Sequence, residues 1–245
     1  MGLHAVLWDV DGTLAETERD GHRRAFNRTF AEAGLPIHWD AQTYGGLLAI
    51  TGGAERIAAA LEQLEGEPAH PERVAALQAT KQGHYRALVA EGGLALRPGV
   101  QKLIGEIAAA GIPQAIVTTS GRTAVEALAS QLLGEWIEGF ALWVCGGDVG
   151  RKKPDPEAYL QAVAQLGLAP SQACALEDSP AGLAAAVAAG VPCLVSLSHY
   201  GSQEPLAQFK AAHAVVDQLG EGARVLQGPA CQDGRITLSY LQSLW

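Results

Sequence analysis

The stretch Asp9-Val10-Asp11-Gly12-Thr13-Leu14, directly after the apolar run Leu3–Trp8, decides the reading of this chain. Side chains alternate along a strand, so residues i and i+2 share a face. Asp9 is expected to close the strand and Asp11 to open the loop, with both carboxylates facing one pocket. Two such groups can divide labour, one attacking as a nucleophile and the other moving protons. Gly12 and Thr13 supply the sharp exit turn that lets a ligand approach the backbone. On its own, the same turn also fits a calcium loop or a plain hairpin.

Further short apolar runs have the look of strands buried on both faces: Gln114–Thr118, Ala141–Cys145, Ala173–Leu176, Cys193–Ser196 and Ala214–Val216. Helical patterns separate them at Val100–Ala110, Thr123–Leu133, Pro156–Leu166 and Ala181–Ala189. Alternating strands and helices imply right-handed βαβ units and an α/β doubly wound, Rossmann-like parallel sheet. Ligands of such sheets bind beyond the carboxyl ends of the strands.

Residues 16–92 break the alternation. They read as helices over Thr17–Ala33, Ala41–Leu48, Ala54–Leu64 and Pro71–Ala90, joined by punctuation such as Gly34-Leu35-Pro36 and Gly52-Gly53. An all-helical insert after the first strand is what a lid would look like. The expected division is a discontinuous core, residues 1–15 and 93–245, with a helical cap at 16–92. The end of the chain, from about Gly220, is weakly patterned and is expected to pack on the core as a tail.

The 245 residues suffice for an ample core. A net charge of −9 argues against nonspecific binding to nucleic acid or anionic membranes. An anionic substrate then needs a local basic pocket. Cys145, Cys174, Cys193 and Cys231 are far apart, and none forms a Cys-x-x-Cys pair; buried free thiols in a reducing compartment are expected. The longest apolar stretch, Ala181–Val195, is too short to span a bilayer and is broken by Gly190-Val191-Pro192. Nothing at the N-terminus reads as a cleavable signal, so the expected location is the cytoplasm.

Three other motifs lie at strand ends. Thr118-Thr119-Ser120-Gly121 offers a hydroxyl and free backbone amides at a helix start, which suits either an anion or ordinary capping. In Arg151-Lys152-Lys153-Pro154, a lysine followed by proline can deliver a point charge to a phosphate or belong to a solvated loop. Glu177-Asp178-Ser179-Pro180 offers adjacent carboxylates that suit a magnesium ion keeping several waters, and Ser179-Pro180 also suits a helix cap.

Singly these motifs are ambiguous; their order is not. Nucleophile, hydroxyl, lysine and acidic pair, with an insert after the first, resemble the pattern of the haloacid dehalogenase-like phosphohydrolases over about residues 3–216. The helical insert is similar to the cap of the subgroup that includes β-phosphoglucomutase. Within the insert, His22-Arg23-Arg24-Ala25-Phe26-Asn27, Tyr44 and Thr51-Gly52-Gly53-Ala54-Glu55-Arg56 resemble the CbbY-type phosphatases, which act on xylulose-1,5-bisphosphate, an inhibitory by-product of Rubisco. One departure is visible: five residues separate Glu16 from His22, where some members have one fewer.

The resemblance implies a Mg2+-dependent phosphatase acting on a small sugar bisphosphate through an aspartyl-phosphate. Asp9 would be the nucleophile and Asp11 the acid and base, while Thr118 and Lys153 would hold the transferring group. The metal would be held by Asp9, the backbone carbonyl of Asp11, and Asp178, with Glu177 close by. Glu16, His22, Tyr44, Gly53 and Arg56 would face the substrate from the cap, with Thr119 and Ser120 opposite. Arg24, Lys81, Arg97 and Arg122 are further basic candidates, each read as structural or solvated. The expected partner is a small sugar phosphate bound by a monomer. A sugar phosphomutase shares every core residue, and a non-catalytic sugar-phosphate binder is a third reading that the intact acidic set disfavours.

Overall fold

Strand β1 (Ala5–Trp8) has all four residues buried, as the unbroken apolar run requires when helices cover both faces of a sheet. In the computed structural model, which describes residues 2–232 and 234–244, it lies inside a seven-stranded sheet, third from one edge. The other strands are β2 (Gln114–Val117), β3 (Phe140–Val144), β4 (Ala173–Glu177), β5 (Cys193–Ser196), β6 (Ala214–Val216) and β7 (Val225–Gln227), in the order β3-β2-β1-β4-β5-β6-β7. The first six strands run parallel. β1 pairs with both β2 and β4, so the winding reverses beside it and opens a crevice at the carboxyl ends of these three strands.

Alternate residues of each strand feed two separate cores. Val6, Trp8, Ile116 and Leu176 pack with Leu103 and Ile107 of α5 (Val100–Ala109) and with Val125 and Leu128 of α6 (Arg122–Leu132). Ala5, Leu7, Val117 and Ala175 pack on Tyr159 and Val163 of α7 (Glu157–Gln165) and Leu183 of α8 (Pro180–Ala188). Ser179 caps α8 by accepting the Gly182 amide, and Pro180 takes the first turn, where its missing N–H costs nothing.

The residues between β1 and α5 form helices: α1 (Arg23–Glu32), α2 (Ala41–Leu47), α3 (Gly53–Glu65) and α4 (Pro71–Ala90). Phe26, Phe30, Trp39, Tyr44, Ile57, Leu61 and Leu77 give them a third core of their own. Tyr200, from the loop after β5, joins that cluster. The expected single helix over Thr17–Ala33 differs in detail. Its first turn, Glu18–His22, is a π-helix, and α1 proper starts at Arg23. A π turn absorbs one extra residue within an otherwise α-helical segment. Here it covers the last four of the five residues between Glu16 and His22, and His22 itself.

The tail is more structured than its patterning suggests. β7 pairs antiparallel with β6, and Ile236, Tyr240 and Leu241, the latter two in α9 (Leu238–Gln242), enter the first core. No helix among the described residues is long and apolar enough to cross a membrane. All four cysteines are free thiols.

Candidate active site

Asp9 leaves β1 with its amide bonded to the Leu176 carbonyl at 3.0 Å. Gly12 then turns the chain with φ +92°, and a Cβ there would overlap the Asp178 carboxylate. Only glycine serves here, for backbone conformation and for space alike. Lys153, 4% exposed, spends its three donors on Asp9 Oδ1 (2.8 Å), Glu177 Oε1 (2.5 Å) and the Val117 carbonyl (2.7 Å). Tyr159 donates its hydroxyl to the same Glu177 oxygen at 2.5 Å.

Asp9, Glu177 and Asp178 are all buried, and one oxygen from each lies within 4.8 Å of the others. Glu177 Oε2 is buried with no hydrogen-bond partner. Burial, together with neighbouring carboxylates, pushes Asp9 up to about 7 despite Lys153. Burial and the charges of Asp9 and Glu177 push Asp178 well above the usual carboxylate range. An all-oxygen, over-acidic, buried donor set with an orphan oxygen fits a hard divalent cation.

Asp11 has the opposite setting. Its Oδ1 accepts from Thr17 Oγ1 (2.5 Å) and His22 Nε2 (2.9 Å), and its Oδ2 from Ser120 Oγ (2.5 Å). Burial raises its proton affinity, but the His22 ring and the bonds from Ser120 and Thr17 outweigh that and hold the carboxyl well below its usual range. Its carboxylate is therefore not in the acidic cluster, and only the backbone carbonyl is left to a metal role. Both aspartates still line one cavity of about 110 Å3, shared with Glu18, Arg56, Thr119, Lys153 and Asp178. The two carboxyls line one pocket in unlike surroundings, Asp9 on Lys153 and Asp11 on His22 and two hydroxyls, so they can take unlike roles.

Behind Asp11, His22 stacks on Tyr85 at 4.1 Å and takes a hydrogen bond from Lys81 Nζ at Nδ1, 2.8 Å away. With Nδ1 accepting, Nε2 carries the hydrogen that faces Asp11. Lys81 is 3% exposed, and burial lowers it to about 8, against the pull of Glu18 and Asp11. It lies over the Phe26 and Tyr85 rings, 4.7 and 5.4 Å from their centroids.

Arg56, at the start of α3, donates to Tyr44 Oη (2.9 Å) and the Ile50 carbonyl (3.0 Å), with Glu18 at 3.5 Å. Tyr44 donates in turn to Glu18 Oε2 at 2.5 Å. Arg56 and Glu18 reach both the cavity above and a second one of about 270 Å3, which also takes in His22, Gly53, Thr119 and Ser120.

Three expected residues lie outside these two cavities. Glu16 does not join Arg56: its carboxylate accepts the His199 amide at 3.1 Å and faces Arg97 Nε at 3.3 Å. Arg97 is itself locked onto the carbonyls of Gly12, Ser196 and Leu197, so Glu16 braces the loops around β5 while lining a separate cavity of about 510 Å3 with Gly12, Glu18 and Asp178. Tyr44 is fully buried and lines neither cavity, because it belongs to the helical core and acts only on Arg56 and Glu18. Thr118 is also buried, its hydroxyl oxygen accepting the Ser120 amide at 3.1 Å; Thr119 and Ser120 face the cavities instead. Of the further basic candidates, Arg122 pairs with Asp148 at 2.6 Å and Arg24 is exposed, but Lys81 is part of the site. Glu18, which none of the sequence motifs singles out, faces both cavities. Its spacing of four from His22 on a helical segment was the available signal.

A model of the haloacid dehalogenase-like hydrolases matches residues 3–190. The chain is 44% identical over 220 residues to Protein CbbY of Cereibacter sphaeroides, covering 89% of this chain and 94% of that one. It is 41% identical to a CBBY-like protein of Arabidopsis thaliana, covering 89% of this chain and 69% of that protein. Among solved structures, a mutant of CbbY from Rhodobacter sphaeroides in complex with xylulose-(1,5)bisphosphate superposes with a TM-score of 0.81 at 44% identity, covering 88% of this chain and 94% of that one.

Proposed function

Because this chain belongs to the haloacid dehalogenase-like hydrolases and is a phosphatase of CbbY type, we propose that it hydrolyses a small sugar bisphosphate, xylulose-1,5-bisphosphate, with Mg2+ and through an aspartyl-phosphate on Asp9. The observation that carries this is the pairing of two unlike carboxylates, Asp9 on Lys153 and Asp11 on His22, at one cavity. A CbbY crystallised with that bisphosphate supports the choice of sugar.

Asp9 attacks phosphorus, and the leaving sugar oxygen takes a proton from Asp11. The arriving phosphate dianion raises the proton affinity of Asp11, so the acid is loaded when substrate is in place. Asp11 then takes a proton from the water that releases phosphate from Asp9. Lys153 and the amides around Thr119 and Ser120 stabilise the transferring group. Asp9, Asp178 and the Asp11 carbonyl, with Glu177 beside them, would hold magnesium, which screens the nucleophile from the incoming anion and offsets developing charge. Residues 16–92 serve as a cap, and Arg56 grips the phosphate remote from the reaction.

A charge-assisted hydrogen bond is worth roughly 1.5–3 kcal/mol, or about 10- to 150-fold. Arg56→Ala is expected to lower kcat/KM for xylulose-1,5-bisphosphate by about that factor and to affect nitrophenyl phosphate little. An equal fall on both substrates makes Arg56 structural and removes the bisphosphate reading's main physical support.

A further inference from the structure

One side chain in the core of the helical insert comes from outside the insert. Among the described residues of that cluster, all but Tyr200 lie within residues 16–92. Tyr200 stands in the loop after β5 and is 9% exposed, with its ring 6.1 Å from that of Tyr44. A Cβ at Gly45 of α2 would come 3.1 Å from two carbons of the Tyr200 ring, so that glycine leaves the ring its seat. The Tyr200 hydroxyl has no hydrogen-bond partner among the described residues, so it is the ring that docks.

The turn that carries Tyr200 is fixed to the sheet on its other side. The Ser198 hydroxyl accepts the Gly201 amide at 3.0 Å, and the Ser198 carbonyl accepts the Ser202 amide at 2.9 Å. A Cβ at Gly201 would overlap the Asp178 carbonyl oxygen, so the turn lies directly on the backbone of that acid. On the insert side, the Tyr44 hydroxyl accepts from Arg56 and donates to Glu18. Phe26 and Trp39 also pack on Tyr44, but both belong to the insert. A helical body joined to a sheet by two chain segments is free to rock on them. We propose that Tyr200 is a positioning residue: keyed into the insert, it ties Tyr44, and through it Arg56, in register with Asp178 and Asp9. This rests on the reading of residues 16–92 as a cap whose Arg56 grips the remote phosphate. Misplacing such a grip by about 1 Å is enough to cost on the order of 100-fold on a substrate that needs it.

The test has a kinetic and a structural reading, each on wild type, Tyr200→Ala and Tyr200→Phe. Tyr200→Ala is expected to lower kcat/KM for xylulose-1,5-bisphosphate about 10- to 150-fold, the scale of the grip it misplaces, and that for nitrophenyl phosphate far less. Tyr200→Phe keeps the ring and drops an unpaired hydroxyl, so it should match wild type. Gly45→Leu, which fills the seat from the insert side, should act as Tyr200→Ala does, and it serves if Tyr200→Ala does not fold. The structural reading is the distance between spin labels at the exposed positions Glu62→Cys on α3 and Gln101→Cys on α5, in a Cys231→Ser background, by pulsed electron paramagnetic resonance. Tyr200→Ala should broaden the wild-type distance distribution, and Tyr200→Phe should restore it. Equal falls on the two esters, an unchanged distribution, or losses in Tyr200→Phe as large as in Tyr200→Ala overturn the assignment. If wild type releases no phosphate from the bisphosphate, the functional reading fails and the distances alone decide. Broadening in Tyr200→Ala that Tyr200→Phe restores then supports the tie, and any other pattern overturns it.

Discussion

At the scale of single residues, the site works by giving identical groups unlike neighbours. Asp9 and Asp11 lie two apart, yet one rests on an ammonium and two carboxylates while the other is ringed by hydroxyls and an imidazole. If Asp11 is the acid, Asp11→Asn should lose on the order of 10²–10⁴ in rate on a sugar phosphate, the usual worth of general acid–base catalysis. The loss should be much smaller on nitrophenyl phosphate, whose leaving group needs little protonation. Phosphate-release rates on the two esters check this, and equal losses count against the role. That these aspartates matter was legible from spacing alone. Which cap acid faces the cavity was not. Glu16 and Glu18 are both acidic and two apart; Arg97, distant in sequence, pairs with Glu16 and holds it out of the two cavities that Glu18 shares with Arg56.

At the scale of elements, five strands are readable because burial on both faces leaves an apolar run with no alternation to confuse it, and edge strand β3, only partly buried, is readable because its residues are apolar all the same. The seventh is not. β7 has three residues, none fully buried, and its only sheet partner is β6. The π turn at Glu18–His22 was also hidden, since apolar periodicity does not register one added residue; only the Glu16–His22 count hinted at it. That turn sets the rotation at which Thr17, Glu18 and His22 meet their partners. Deleting Asp20, which is partly exposed and pairs only with its neighbour Arg19, should convert the turn to α-helix and rotate Thr17 and Glu18 out of place. We expect circular dichroism to stay unchanged and kcat/KM to fall at least about tenfold, the lower end for a lost charge-assisted bond. Full activity in the deletion variant would show that the turn does not position the site.

At the scale of the molecule, three acids are buried in a protein already carrying a net charge of −9. Asp9 is raised to about 7 when folded, from about 4 when unfolded. Between those values the folded state holds more protons, so stability falls as pH rises through the window. A cation bound to the ionised cluster opposes that fall. In chelator, Tm should drop by a few degrees between about pH 5 and pH 8, since 1 kcal/mol moves Tm by roughly 2–4 °C at this size. Added Mg2+ should recover most of the drop at pH 8 and little at pH 5, as thermal unfolding at the two pH values would show. The central claim is tested most directly by phosphate release from xylulose-1,5-bisphosphate and ribulose-1,5-bisphosphate, side by side, with Mg2+, for wild type and Asp9→Asn. The prediction is free phosphate from the xylulose compound, far less from the ribulose compound, and none from the folded Asp9→Asn protein. Near-wild-type release by Asp9→Asn, or an isomerised sugar phosphate in place of free phosphate, would contradict it.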